Sequence, residues 1–322
     1  RMHPLWGDEA ETALFARNIL RYGLPKGWDG VNIMGINNAV VLNDNLINHT
    51  SPWAQYYVTA ASFALFGESS FTSRIPSMLF AIATLPLLFA FAVRVTGSKR
   101  IALVALIILS LSVPFLLFSY QARYYSAVTF AALFMAHAGL ALHRKTWSDV
   151  LLFIGAGILF FYANYVVFAA FFAALLVLLL MKNRNAIPLY LICGLLIAAF
   201  TLPWVLWVKP FDSRGAIVIP SLFDLIRYTG VLFWLSIRPY LMNHAFPLWI
   251  AVPWLWLVLK RHVSRVPVLL ACAFLGIMSF LTVIGDVDTS FVHSRYTSLV
   301  LPFFALAVAS VIDCVYRRQR IV

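Results

Sequence analysis

Charge is what this chain has least of. Asp, Glu, Lys and Arg make up 11% of its 322 residues, and only twelve residues are acidic. Soluble domains carry roughly 25% charged residues, so a water-soluble globule is excluded. Cysteine is scarce as well. Cys193, Cys272 and Cys314 each sit within an apolar run, far from any His or carboxylate cluster, which excludes a cysteine metal site and leaves them as small core residues.

In place of charge stands hydrophobic sequence, 62% of the chain, with a mean hydropathy of +0.88. It comes in long runs, among them residues 101–119, 151–161, 166–181 and 188–208. About 20 apolar residues cross a bilayer as helix, so the expected fold class is an all-α polytopic membrane protein.

The charges that remain are sorted. Arg94, Lys99 and Arg100, then Arg144 and Lys145, Lys182 and Arg184, Lys260, Arg261 and Arg265, and finally Arg317, Arg318 and Arg320 fall in short breaks between apolar runs or in the tail. Placing these five clusters on the cytoplasmic face, as the positive-inside rule requires, gives that face 13 basic residues less two acids, or +11. The other face holds 11 less 10, or +1. The basic balance therefore reflects orientation and contact with anionic lipid, and no nucleic-acid partner is implied.

Under that constraint nine spans are expected, near residues 75–96, 101–118, 122–142, 149–163, 165–181, 187–208, 245–259, 266–284 and 298–315. Residues 221–240 break the charge pattern if they cross, so they are expected to lie along the outer interface, anchored by Arg227, Trp234 and Arg238. The chain begins at Arg1 in a loop on the outer face. An upstream span, making ten, is expected to deliver that loop, with a cleaved signal peptide as the alternative. Four divisions follow: an outer loop with juxtamembrane helices at 1–74, a transmembrane module at 75–208, an outer loop with an interfacial helix at 209–244, and a second transmembrane module at 245–322.

The first outer loop holds the chemistry. Residues 8–22 carry an apolar stripe at Ala13, Leu14, Ala16 and Leu20, with Gly23 and Pro25 as stop signals, and are expected to be a helix. Asp8 and Glu9 stand side by side at its start. One reading makes Asp8 an N-cap, with Glu11 three residues on as its capping-box partner. The other makes it an ionised carboxylate facing open space, able to take a proton from a hydroxyl or to hold a metal. A Gly- and Asn-rich loop follows, then His49, Thr50, Ser51 and Pro52, then an amphipathic helix over 53–66 lying along the interface with Trp53, Tyr56 and Tyr57 at headgroup level. Asn48-His49-Thr50 matches a glycosylation sequon, a pattern that arises often by chance. Arg17 and Arg21 share a solvated helical face. His137 is expected to make an interhelical hydrogen bond, and Phe160, Phe161, Tyr162 and Tyr165 to pack together.

The order of these features resembles the GT-C glycosyltransferases: an Asp-Glu pair, a helix, a loop, Leu65-Phe66-Gly67-Glu68, then Ser73-Arg74-Ile75-Pro76 at the start of a span. Gln121-Ala122-Arg123-Tyr124-Tyr125 and His293-Ser294-Arg295-Tyr296 at later span mouths add to the likeness. Within that superfamily the chain is most similar to the protein O-mannosyltransferase and aminoarabinose-transferase branch. The resemblance implies a bacterial inner-membrane enzyme that moves a sugar from a polyprenyl-phosphate donor to an acceptor on the periplasmic or exterior side, with inversion. It makes Asp8 the general base or a metal-linked carboxylate and Glu9 its supporting partner.

Arg123 and Arg295, with Tyr124 and Tyr296 beside them, and Lys209 at a span exit, are the candidate cations for the lipid phosphate, because ionisable groups at span mouths pair or bind something. Pairing of the two arginines with Asp286 or Asp288 is the alternative, and those two acids could also form a site of their own. His49, Ser51, Tyr125 and His293 are candidates for the substrate pocket. Two departures from the family stand out: Thr50-Ser51-Pro52 where relatives often carry His-Pro-Pro or Lys-Pro-Pro, and Tyr125 where some carry an acid. The second removes a ligand, which weighs against metal dependence; a divalent metal at Asp8 stays open as the alternative, and no other cofactor is implied. A lipid-linked sugar flippase and a non-catalytic scaffold remain the other readings, though the chain shows neither internal repeats nor midplane charges of the kind transporters use.

Overall fold

A computed structural model describes residues 4–34, 41–210, 221–238, 264–284 and 297–319. Among them all regular structure is helical, apart from three isolated antiparallel bridges in the loop before the second helix. The helices are α1 Gly7–Tyr22, α2 Ala54–Phe66, α3 Ile75–Thr96, α4 Lys99–Ser110, α5 Val113–Ser119, α6 Tyr125–Gly139, α7 Trp147–Ala163, α8 Tyr165–Lys182, α9 Ile187–Val208, α10 Leu222–Arg238, α11 Val266–Ile284 and α12 Leu301–Gln319.

Their ends obey local chemistry. Pro76 in the first turn of α3 lacks only an N–H that has no helical acceptor there, and Gly97 closes the helix at φ +69°, its N–H donating to the Val93 carbonyl. Asn164 separates α7 from α8 by accepting the Val167 N–H on its side chain. Thr146 caps α7 in the same way.

Six helical segments are long and apolar enough to cross a bilayer, and a seventh if α4 and α5 count as one. The protein is an integral membrane protein. The expected span at 101–118 is broken: α4 and α5 meet at 65° across Leu111 and Ser112. Pro114, in the first turn of α5, cannot donate the bond that would carry one helix through. The expected span at 149–163 is the 17-residue α7, shorter than the others, and that at 245–259 lies outside the described residues. Helix α10 covers most of the expected segment 221–240. It packs Phe233 and Ile237 on the core and leaves Leu222, Phe223, Ile226 and Trp234 exposed.

One core joins both expected transmembrane modules. Phe91 of α3 meets Phe303 of α12 at 5.7 Å between ring centroids, and Phe171 of α8 meets Phe274 of α11 and Phe303, each at 6.0 Å. Helix α6 lies inside it, with Ala127, Ala131, Ala132, Ala136 and Ala138 buried. Small residues let helices approach closely where the solvent is lipid. A second cluster, separate from this core, joins Phe15, Ala16 and Ile19 of α1 to Tyr56, Ala60 and Phe63 of α2 and to Tyr165 and Trp204.

The bundle therefore has two unlike ends. At one, Arg94 donates to the His137 carbonyl, Arg144 pairs with Asp149, and Asp313 is held by Arg100 at 3.4 Å and Arg317 at 2.7 Å. This gathers the basic breaks, as the charge pattern predicts. His137 departs from expectation: only its backbone carbonyl is bonded by Arg94, and its Nδ1 has no hydrogen bond among the described residues. The other end carries the α1–α2 layer. Tyr165 at the start of α8 donates to the Thr50 carbonyl at 2.9 Å, and Trp53 packs edge-on against Trp204 and Trp207 at the end of α9.

Candidate active site

Helix α1 starts two residues before the point where the cap reading puts it. Trp6 is the N-cap, and Glu9, at the third helical position, reaches back to accept the Trp6 N–H at 3.4 Å. Asp8 is thus not the cap, and Glu11 is not its capping partner. That correction frees both side chains for other contacts.

Asp8 and Glu9 point to different places, being about 100° apart on a helix. Glu9 turns inward. Its Oε1 accepts from Arg74 Nε at 2.8 Å and from the Ala122 N–H at 2.8 Å, and its Oε2 accepts from Arg74 Nη2 at 2.6 Å. The side chains are 1% and 4% exposed. Arg74 also lies over the Tyr120 ring, 4.7 Å from its centroid, and donates to the Pro4 carbonyl. Burial pushes the Glu9 carboxyl up, but the hydrogen bonds from Arg74 and Ala122 outweigh it and hold the group below its ordinary value. Arg74 is in turn raised, first by its hydrogen bonds to Glu9. Glu9 thereby clamps α1 to the start of α3 and to the turn before α6.

Asp8 turns toward Arg123, with Oδ2 3.8 Å from Nη2 and a third of its side chain exposed. Arg123 Nη1 donates to Glu11 Oε2 at 3.1 Å and to the Asp8 backbone carbonyl at 3.2 Å. Glu11 Oε1 accepts from the Tyr56 hydroxyl at 3.4 Å. Burial alone lowers Arg123, yet Glu11, ahead of the neighbouring tyrosines, raises it above its ordinary value, so it stays charged. Burial and then Glu11 push the Tyr56 phenol up, so it stays a neutral donor. Tyr56 is 2% exposed, in contrast to the headgroup position expected of it.

The remaining candidates divide. Tyr124 lies beside Arg123, 5.6 Å from guanidinium to ring centroid. Tyr125 is 1% exposed and its ring packs on Phe118 and Tyr124. His49 is buried, with its N–H bonded to the Val41 carbonyl. Ser51 is half-buried and donates its N–H to Asn48 Oδ1 at 3.0 Å. Asn48 is fully buried and also accepts from the Thr50 N–H, which removes it as a glycosylation site. Lys209 closes α9 with φ +53° and is exposed, at the end where Trp204 and Trp207 meet Trp53. His293, Arg295, Tyr296, Asp286 and Asp288 lie outside the described residues.

A divalent cation does not suit these residues. The Arg123 guanidinium already stands between the Asp8 and Glu11 carboxylates, and no group of three metal-ligating side chains occurs among the described residues.

Residues 50–207 match the family described as dolichyl-phosphate-mannose-protein mannosyltransferase. ArnT from Cupriavidus metallidurans, bound to undecaprenyl phosphate, superposes with a TM-score of 0.65 at 16% identity, over 97% of this chain. The family match covers just under half of the chain, and the likeness to ArnT is one of fold. The apo state of the same ArnT superposes equally well, at 17% identity. The chain spans 56% of the length of either ArnT chain. No curated protein matches it significantly in sequence. The family match begins after α1, so the roles of Asp8, Glu9 and Glu11 rest on geometry.

Two residues of the site were misread from sequence, Glu11 as a cap partner and Tyr56 as a headgroup anchor, and Arg74 was named only within a motif. Glu11 was findable. Its i, i+3 spacing from Asp8 puts both acids on one face of α1.

Proposed function

We propose that this protein is a membrane glycosyltransferase of the GT-C kind that moves a sugar from a polyprenyl-phosphate donor to an acceptor hydroxyl on the extracytoplasmic face, with inversion. The observation that carries the reading is the Asp8 carboxylate: partly exposed, beside a buried arginine, at the end of the bundle away from the basic clusters. Asp8 takes the proton of the acceptor hydroxyl as its oxygen bonds to the anomeric carbon. The bond from that carbon to the phosphate breaks, and polyprenyl phosphate leaves with the electron pair. Glu9 supports Asp8 from behind by fixing α1 against Arg74 and Ala122.

Negative charge grows on the leaving phosphate, so preorganised cations there lower the barrier. Arg123, which keeps further donors beside its bond to Glu11, is a candidate for the phosphate together with Tyr124, Lys209, Arg295 and Tyr296. That ArnT binds undecaprenyl phosphate on the same fold supports this donor class.

Purified protein in lipid nanodiscs, given a panel of polyprenyl-phosphate sugars with mixed acceptors, is expected to release polyprenyl phosphate from at least one donor. Release from none contradicts the reading and leaves a flippase or a scaffold. Orientation has a separate test, in a background lacking the three native cysteines. A cysteine replacing Asp44, in the loop before α2, is expected to react with an impermeant thiol reagent from outside intact cells. One replacing Lys99, at the basic end, is expected not to. The reverse pattern puts the site in the wrong compartment.

A further inference from the structure

We propose that the short hairpin after α1, residues 27–34, dips its apolar tip into the outer boundary of the bilayer and anchors there the layer that carries Asp8. The proposal does not depend on the transfer chemistry. It is carried by where α1 ends and by what the hairpin exposes.

Helix α1 is strung between span mouths. Near its start Glu9 bonds to Arg74, just ahead of α3, and to the Ala122 N–H, just ahead of α6. At its end the Gly23 carbonyl accepts from the Tyr57 hydroxyl at 2.8 Å. The Tyr57 ring lies beside Trp53, whose ring meets Trp207, in the last turn of α9, at 5.4 Å between centroids. The 16 residues of α1 reach about 24 Å. Both ends of the helix therefore stand where spans leave the membrane, and the chain after Gly23 emerges at that level.

The hairpin is rigid and its tip is apolar. Trp28 bridges to Ile33, and Met34 donates its N–H to the Gly27 carbonyl at 2.7 Å. Asp29 Oδ1 accepts the N–H groups of Val31 and Asn32 at 2.9 and 2.8 Å, and Gly30 turns the chain at φ +109°. Buried Asn18 donates to the Lys26 and Trp28 carbonyls, and Arg21 donates to that of Asp29, which pins the hairpin to α1. With this backbone bonded inward, Val31 is left 86% and Ile33 56% exposed, and Leu20, Tyr22 and Trp28 reach the surface beside them. Exposed apolar groups gathered at one place mark a contact surface. Trp28 stacks on Tyr22 at 6.0 Å, and Lys26 stands over the Tyr22 ring. Such amphipathic rings are the side chains that settle at headgroup level, where the charges of Arg21, Lys26 and Asp29 stay hydrated. At the level of the span mouths the neighbouring surface is lipid, which makes the bilayer the occupant.

The test uses the full chain in nanodiscs of phosphatidylethanolamine and phosphatidylglycerol, in a background lacking Cys193, Cys272 and Cys314. Val31→Cys, at an exposed position where no packing is lost, carries a nitrobenzoxadiazole probe. Blue-shifted emission is expected, with stronger quenching by lipids spin-labelled near the headgroup than by lipids labelled at the chain end. Interfacial segments reach only roughly 5–10 Å into the boundary between headgroups and acyl chains. With the probe on Ile33→Cys instead, adding Val31→Asp is expected to shift the emission back toward that in water and to weaken the quenching. Emission as in water from the Val31 probe overturns the proposal. A blue shift without quenching by lipid also overturns it, and assigns the tip to a protein contact. An Ile33 probe indifferent to Val31→Asp removes the tip from the anchor and overturns it as well.

Discussion

Glu9→Gln is expected to cost about 3–5 kcal/mol of folding stability, the range for breaking a buried ion pair by removing one partner. Both side chains are almost wholly enclosed, so solvent screening does little to soften the loss. The neutral amide takes from the buried Arg74 guanidinium the counter-charge that Glu9 supplies. It also turns one carboxylate oxygen into a donor, facing either the Ala122 N–H or Arg74. Thermal unfolding in detergent measures the effect. Replacing both partners by apolar residues, as in Glu9→Leu with Arg74→Met, is expected to recover much of the loss, because such swaps are often neutral. A Glu9→Gln protein as stable as the wild type contradicts a clamp at this point.

The pair also sets an acid limit. Glu9 lies below its ordinary value of 4.5 in the folded protein. A depressed carboxyl adds stability that is complete above the unfolded value and is lost as pH falls through the folded one. The wild type is therefore expected to lose stability below about pH 4.5, with Glu9→Gln responding less over that interval.

Much of the scaffold could be read without coordinates. Helix α1 was expected over residues 8–22 and runs from Gly7 to Tyr22, because its apolar stripe and its Gly23 stop are local features. The gathering of Arg94, Arg100, Arg144 and Arg317 at one end follows from charge spacing along the chain. The break between α4 and α5 was missed, although Pro114 signals it, because hydropathy alone does not see a lost backbone donor.

The site was legible only in part. Asp8 and Arg123 were both singled out, but as parts of separate features; their meeting spans more than a hundred residues of sequence. The bonds of Glu9 to Arg74 and to the Ala122 N–H are of the same long-range kind. Residue type suggested Asp8 as the cap. The N-cap is instead Trp6, whose N–H Glu9 accepts from the third helical position. Tyr56 looked like a headgroup anchor by its position in a short amphipathic helix, but α1 covers it.

The central claim is that Asp8 accepts the proton of the acceptor, and Asp8→Asn tests it most directly. Asn matches Asp in size, and with Trp6 as cap the substitution removes no capping bond. What it loses is a charge in the first turn of α1, worth about 0.3–1 kcal/mol with the helix dipole, and the ability to take a proton at neutral pH. Loss of a general base lowers turnover by about 10²- to 10⁴-fold. The measurement is kcat for release of polyprenyl phosphate, made beside donor affinity and thermal stability on the same nanodisc preparation. The account predicts a folded Asp8→Asn protein that binds donor as the wild type does and turns over at most one-hundredth as fast; transfer at the wild-type rate would contradict it and move the search for the base to Glu9 and Glu11.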